Sequence, residues 1–277
     1  MRIFWICVIV LTALCAAYLF LIFPRPGARR RFGLFADRVW AHRGEFDNRE
    51  IPENSLPAFA RAVKRGVGIE LDIHRTADGE VVVIHDSELS RLCGVEGVVE
   101  EMTAAQLGEL TLLGTGERIP TLREVLALVG DRVPLIVELK GESADTRLCD
   151  AALPILENSG VTYCVESFNP LLVARWRRLA PHVMRGILTT KFRRDGEHRG
   201  VLGFVLGACL MNFLARPDFI ACRHPYGGTP TVRLCRALGA LTFAWTIRTR
   251  AEYDGCRRRF DAFICENVPQ LLKEKPE

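Results

Sequence analysis

Several things are missing from this sequence, and each absence narrows its chemistry. Its 10 cysteines never stand in a CxxC spacing and are scattered along the chain. That excludes a dense disulfide framework and leaves cysteine as a small core residue of a reduced compartment. No GxGxxG follows the first apolar strand, residues 39–41, so nothing marks a dinucleotide site. Charge of one sign is not in excess. A net charge of +4 is too mild for a nucleic-acid partner. Finally, no charged residue interrupts residues 3–23, IFWICVIVLTALCAAYLFLIF.

At about 1.5 Å per residue that run is long enough for a hydrocarbon core of about 30 Å. It exceeds the apolar core of a secretory signal, roughly 7–15 residues, and continues through LFLIF past its small residues. Thr12-Ala13-Leu14 before Cys15 is also a poor lipoprotein cleavage site. The reading is an uncleaved anchor over residues 1–24. Only Arg2 precedes its apolar run, whereas Arg25, Arg29, Arg30 and Arg31 follow in a Pro/Gly/Arg linker over residues 25–35. The positive-inside rule then predicts a cytoplasmic location for the remainder, with the linker arginines facing anionic headgroups.

Residues 36–277 read as one domain in which apolar runs alternate with amphipathic ones. Strands are expected at 39–41, in two short runs around the turn 77–79, and at 134–139, 161–165, 184–189, 218–222, 241–247 and 262–265. Helices are expected between them, among others at 56–64, 145–159, 204–214 and 268–275. About eight βα units over about 240 residues fit an α/β fold, a closed (β/α)8 TIM barrel preceded by one transmembrane helix.

The chemistry concentrates in residues 69–86, IELDIHRTADGEVVVIHD. Glu70 and Asp72 stand at i and i+2 of a strand and share a face. Two acids side by side on an apolar strand repel each other and lose solvation unless something positive lies between them. A divalent cation meets that need, and His85 nearby suggests proton transfer. His42 and Arg43 follow the first strand, while Glu138 and Lys140, again i and i+2, end the strand at 134–140. In a (β/α)8 barrel these strand ends meet at one mouth. Glu138 then becomes a third oxygen ligand. Three carboxylates suit Mg2+ or Ca2+ better than zinc, and Arg43 with Lys140 suits an anionic oxygen group such as phosphate.

HRG (42–44), PENS (52–55) followed by LPAFARAVKRG, the 69–86 stretch, IPTLREVL (119–126), VELK (137–140), VESF (165–168) and WTI (245–247) occur in this order. The set resembles the glycerophosphodiester phosphodiesterase family across nearly all of residues 39–269. The resemblance implies a barrel enzyme that hydrolyses glycerophosphodiesters to glycerol phosphate and an alcohol. It implies His42 and His85 as the acid/base pair, Glu70, Asp72 and Glu138 as ligands of one divalent cation, and Arg43 on the phosphate. Phe168 and Trp245 match positions lining the glycerol pocket. Two nucleophiles fit: the neighbouring glycerol hydroxyl, giving a cyclic phosphate that water later opens, or water itself. Arg248 and Glu266-Asn267 depart from the family pattern, in the last βα turns that shape the pocket, and the excursion at residues 89–118 is short.

The remaining polar residues have plainer readings. Glu53 and Asn54 divide between a helix-cap device and a polar, substrate-side role. His74 shares the face of Glu70 and Asp72 but reads as structural. His182, His198 and His224 carry no assignment. Two other functions compete. The anchor allows lysophospholipase D action on acylated lipids at the membrane. An inactive, membrane-tethered binding barrel would have lost a histidine or a carboxylate of the set, and none is lost.

Overall fold

In the computed structural model, which describes residues 1–35, 39–195 and 200–272, nine strands form one sheet. In chain order they are β1 (Val39–His42), β2 (Gly68–Arg75), β3 (Val81–Val83), β4 (Leu135–Leu139), β5 (Tyr163–Ser167), β6 (Arg185–Thr189), β7 (Phe219–Arg223), β8 (Leu241–Ile247) and β9 (Ala262–Cys265). β1 pairs in parallel with both β2 and β9, which closes the ring. β3 is the exception. It folds back antiparallel on the last residues of β2 and lies outside the eight-stranded barrel. The architecture is the TIM barrel that the strand–helix alternation predicts.

Alternation along each strand separates two cores. Ile69, Leu71 and Ile73 of β2 point outward and pack under the surrounding helices with Phe59, Leu122, Val137 and Trp176. Trp40, Ile136, Phe219, Phe243 and Ile264 point inward and fill the barrel. Phe219 and Phe243 stack with ring centroids 4.1 Å apart. Gly186 makes room for them, since a Cβ there would lie 2.0 Å from the Phe219 ring. Each fully buried phenylalanine contributes about 1.5–3 kcal/mol of apolar transfer, so this plug makes the lumen a packed floor rather than a channel.

The first barrel helix, Leu56–Arg65, shows why the helices form where they do. The Ser55 hydroxyl accepts from the Ala58 backbone N–H, Pro57 fits the first turn, and Phe59 and Ala62 form the buried stripe. One expected helix is broken. Residues 204–214 fall into Val201–Gly207 and Asn212–Ala215, because Cys209 takes a left-handed conformation (φ 55°) that turns the chain and buries its side chain against Val173 and Ile220. The last helix is described as Val268–Leu272. Its expected continuation to 275, the domain start at Ala36, and His198 lie outside the described residues.

The helix Arg2–Ile22 is exposed along nearly its whole length, and Ile22 is its one buried residue. By length and composition it is a candidate membrane span, a description that a signal sequence would also meet. Its last turn is fixed to the barrel. Asn212 Nδ2 and Arg216 Nη1 donate to the carbonyls of Ile22 and of Phe20 and Phe23 respectively.

Candidate active site

Strand register assembles the site. In parallel pairing, partnered residues point to the same side of the sheet. His42 of β1 is opposite Glu70 of β2, Asp72 is opposite Glu138 of β4, and Glu138 is opposite Glu166 of β5. The two-residue spacing therefore continues across four adjacent strands as one polar row on the lumen side, above the aromatic plug. Carboxylate oxygens of Glu70, Asp72 and Glu138 lie within 4.8 Å of one another, and all three residues are buried.

The charges in this row do not balance. Lys140 Nζ lies 2.6 Å from Glu138 Oε1 and 2.9 Å from Asp72 Oδ1, and Arg43 Nε lies 3.5 Å from Asp72 Oδ2. Four buried carboxylates, counting Glu166, thus face two cationic side chains. Asp72 takes most of the compensation. Against burial, Lys140, His85 and Arg43 hold its carboxyl well below the usual range. Glu70 receives little. Burial and the like charges of Asp72, Glu138 and Glu166 push it well above that range. Burial and Glu138 push Glu166 up likewise, and among the described residues its Oε2 has no hydrogen-bond partner. Two uncompensated negative charges on clustered oxygen donors fit one hard divalent cation held by Glu70, Asp72 and Glu138.

Both histidines of the expected pair stand beside this row, and each has one ring nitrogen tied to a carboxylate. His42 Nδ1 donates to Glu266 Oε1 at 3.1 Å, and its Nε2 lies 4.0 Å from Glu70 Oε2. Burial brings the His42 imidazole down to about 4, against the opposing bond to Glu266. His85 Nδ1 donates to Asp86 Oδ1 at 2.5 Å, and His85 is near enough for its charge to bear on both Asp72 and Glu138. The two imidazoles therefore share an arrangement, with Nδ1 anchored and Nε2 left for chemistry. His74 spends both nitrogens on structure, Nδ1 on Glu100 at 2.5 Å and Nε2 on the His85 carbonyl at 3.1 Å.

Glu53 and Asn54 reach the row through other residues. Asn54 Nδ2 donates to Asp72 Oδ2 at 2.8 Å, so it aims that carboxylate. Glu53 accepts from Arg43 Nη1 at 2.6 Å, from Asn48 and from Arg91, and braces the guanidinium next to the row. The helix cap belongs to Ser55. Phe168, just past β5, and Trp245 of β8 meet edge to face at 5.6 Å, and among the described residues the buried Trp245 Nε1–H has no partner.

Sequence reasoning missed four contributors. Glu266 holds His42 and is itself gripped by Arg248 at 2.8 and 3.0 Å, so the two departures from the family pattern form one unit. Asp86 orients its neighbour His85. Arg91, on the 89–118 excursion, clamps Asp86 and Glu53 together. Glu166 joins the acidic row. Its signal was available, an acid on an apolar strand two residues before Phe168, but it stood among motif letters rather than on a strand face.

Residues 42–268 match the Glycerophosphoryl diester phosphodiesterase family. A Mycobacterium tuberculosis protein named "Probable glycerophosphodiester phosphodiesterase 1" is 45% identical over 266 residues, covering 85% of this chain and 90% of its own. A "Glycerophosphodiester phosphodiesterase" of Caldanaerobacter subterraneus is 37% identical over 163 residues, 54% of this chain and 65% of its own length. Among solved structures, an Oleispira antarctica phosphodiesterase in complex with the product sn-glycerol-3-phosphate superposes with a TM-score of 0.72 at 22% identity, over 87% of this chain and 97% of that one. At that identity the likeness is one of fold.

Proposed function

The chain belongs to the glycerophosphoryl diester phosphodiesterase family, whose members are phosphoric diester hydrolases, and we propose that it hydrolyses glycerophosphodiesters to glycerol 3-phosphate and an alcohol with His42 and His85 as its acid/base pair. The observation that carries the reading is the lumen row of Glu70, Asp72 and Glu138 flanked by two imidazoles whose Nδ1 atoms are both tied to carboxylates.

Glu70, Asp72 and Glu138 would hold a divalent cation, Mg2+ or Ca2+, which would supply positive charge against the phosphodiester anion. The chain's own residues do the rest. Asn54 and Lys140 fix Asp72, so the ligand set is held before substrate arrives. Arg43, braced by Glu53, and Lys140 add cationic charge where negative charge builds on the phosphoryl oxygens. One imidazole takes the proton of the nucleophile through Nε2, and the other protonates the departing alkoxide, work that contributes about 10²–10⁴-fold. Phe168 and Trp245 offer an apolar wall to the glycerol backbone, with the unpaired Trp245 N–H for one of its oxygens. The nucleophile is either the adjacent glycerol hydroxyl or water.

The position of the anchor bears on the substrate. The linker pairs with Asp218 and Asp261, which immediately precede β7 and β9, whereas the catalytic row lies toward the opposite ends of the strands. A mouth on the far side from the anchor suits a water-soluble glycerophosphodiester better than a lysophospholipid in the same bilayer. The flanking arginines support a single-pass protein with its barrel in the cytoplasm. Incubating full-length protein with glycerophosphocholine and with a lysophospholipid, followed by phosphorus NMR, tests the reading. Release of glycerol 3-phosphate by the wild type but not by His42→Ala supports it. Turnover confined to the acylated substrate would replace it with the lysophospholipase D reading.

A further inference from the structure

A basic pocket lies where the anchor meets the barrel, away from the acidic catalytic row. It is a cavity of about 470 Å³ lined by Phe20, Phe23 and Pro24 of the anchor and linker, and by Arg25, Arg177, Arg185 and Arg216. Arg185 opens β6 and so stands at the floor end of the barrel.

The electrostatics are lopsided. Among the described residues only Arg25 of these four has a carboxylate within ion-pair distance, Asp218 at 3.4 Å, and that one acid is shared with Arg31 at 3.8 Å and with Arg185, whose backbone N–H donates to it at 3.2 Å and whose guanidinium feels its charge. Among the described residues Arg177, Arg185 and Arg216 form no ion pair. Arg177 and Arg216 donate instead to backbone carbonyls, of Phe213 and Leu214 and of Phe20 and Phe23. Arg185 is the telling member. It is 3% exposed, its Nε donates to the Ala215 carbonyl at 2.8 Å, and among the described residues its Nη1 has no hydrogen-bond partner. A buried guanidinium with an unmet donor is expensive unless a ligand meets it.

We infer that this junction pocket binds one phosphate group, either free or carried by an acidic phospholipid beside the anchor. Guanidiniums match phosphate oxygens in geometry and charge, and the cavity is large enough for a whole headgroup. Phe20 and Phe23 give it an apolar side continuous with the anchor helix. Such a ligand would tie the helix end to the barrel floor.

The test uses full-length protein in nanodiscs of phosphatidylcholine with a minor fraction of phosphatidylglycerol. Native mass spectrometry reads retained lipid, and phosphorus NMR in lipid-neutral discs reads binding of inorganic phosphate. Expected is retention of one phosphatidylglycerol per chain, or saturable phosphate binding, weakened about tenfold or more in Arg185→Met and in the exposed Arg177→Gln. The Arg177→Gln protein should keep its phosphodiesterase activity, which separates this site from the catalytic one and guards against a misfolded Arg185→Met. Lipid retention without phosphate binding assigns the ligand to the bilayer, and the reverse assigns it to solution. Retention of neither by the wild type, or equal retention by Arg177→Gln, overturns the inference.

Discussion

His42 ends the first strand of the barrel and Glu266 directly follows the last, and they meet where the barrel closes, Nδ1 to Oε1 at 3.1 Å. Against burial, the bonds from His42 and Arg248 bring the Glu266 carboxyl down to about 2, so at neutral pH it is an acceptor and His42 carries its proton on Nδ1. In the proposed mechanism Glu266 is therefore a positioning residue for His42. Glu266→Gln should lower kcat about 10- to 100-fold with little change in KM, and Glu266→Asp should recover part of the loss. A matching rise in KM with kcat untouched would place Glu266 on the substrate instead.

The histidines themselves should cost more. His42→Ala and His85→Ala should each reduce kcat/KM by about 10²–10⁴, and the double variant by far less than the product of the two, since they serve one proton-transfer cycle. Steady-state kinetics on glycerophosphocholine measures this. A histidine variant with wild-type turnover would remove that residue from the mechanism.

Glu53 gives a pH dependence of stability. Burial alone would raise its carboxyl, but the bonds from Arg91 and Asn48 and the charge of Arg43 outweigh it and hold the group at about 2, below its ordinary 4.5. A carboxyl lowered on folding stabilises above its unfolded value and loses that contribution as pH falls through 4.5 toward 2, at most on the order of 3 kcal/mol. Glu53→Gln should therefore be less stable than the wild type at pH 7, with the gap narrowing below about pH 4.5 and closed only below about pH 2. Melting curves across that range check it, and a gap independent of pH would contradict it.

Much of this site could be read from the sequence because its acids follow a strand's own period. Glu70 and Asp72, and Glu138 and Lys140, are neighbours on a face before any fold is assumed, and parallel register then carries the row across the sheet. Glu266 was recognised only as a departure from the family pattern, since its tie to His42 spans 224 positions and depends on barrel closure. Arg91 was hidden for a similar reason. Its reach back to Glu53 depends on how the 89–118 excursion folds over its own small core of Leu89, Leu92, Val99 and Leu107. The break at Cys209 left no mark, because the sequence there is apolar on both sides of the turn.

Gly44 makes the tight turn of HRG a structural necessity. Its φ is +82°, and a Cβ there would lie 2.9 Å from the Ala58 carbonyl carbon and Cβ. Gly44→Ala should cost more than about 1 kcal/mol, lowering Tm by several degrees. It should also impair activity by displacing the Arg43 backbone N–H, which donates to Glu70 Oε2 at 3.0 Å. An unchanged Tm would mean the helix Leu56–Arg65 can move away at no cost.

The most direct measurement is titration calorimetry of chelator-stripped full-length protein with Mg2+ and with Ca2+, paired with activity before and after the metal is restored. The cluster of Glu70, Asp72 and Glu138 predicts one saturable divalent site per chain, loss of turnover on stripping, recovery on re-addition, and loss of both binding and turnover in Glu70→Gln and Glu138→Gln. Full turnover by stripped protein that binds neither ion would contradict the account.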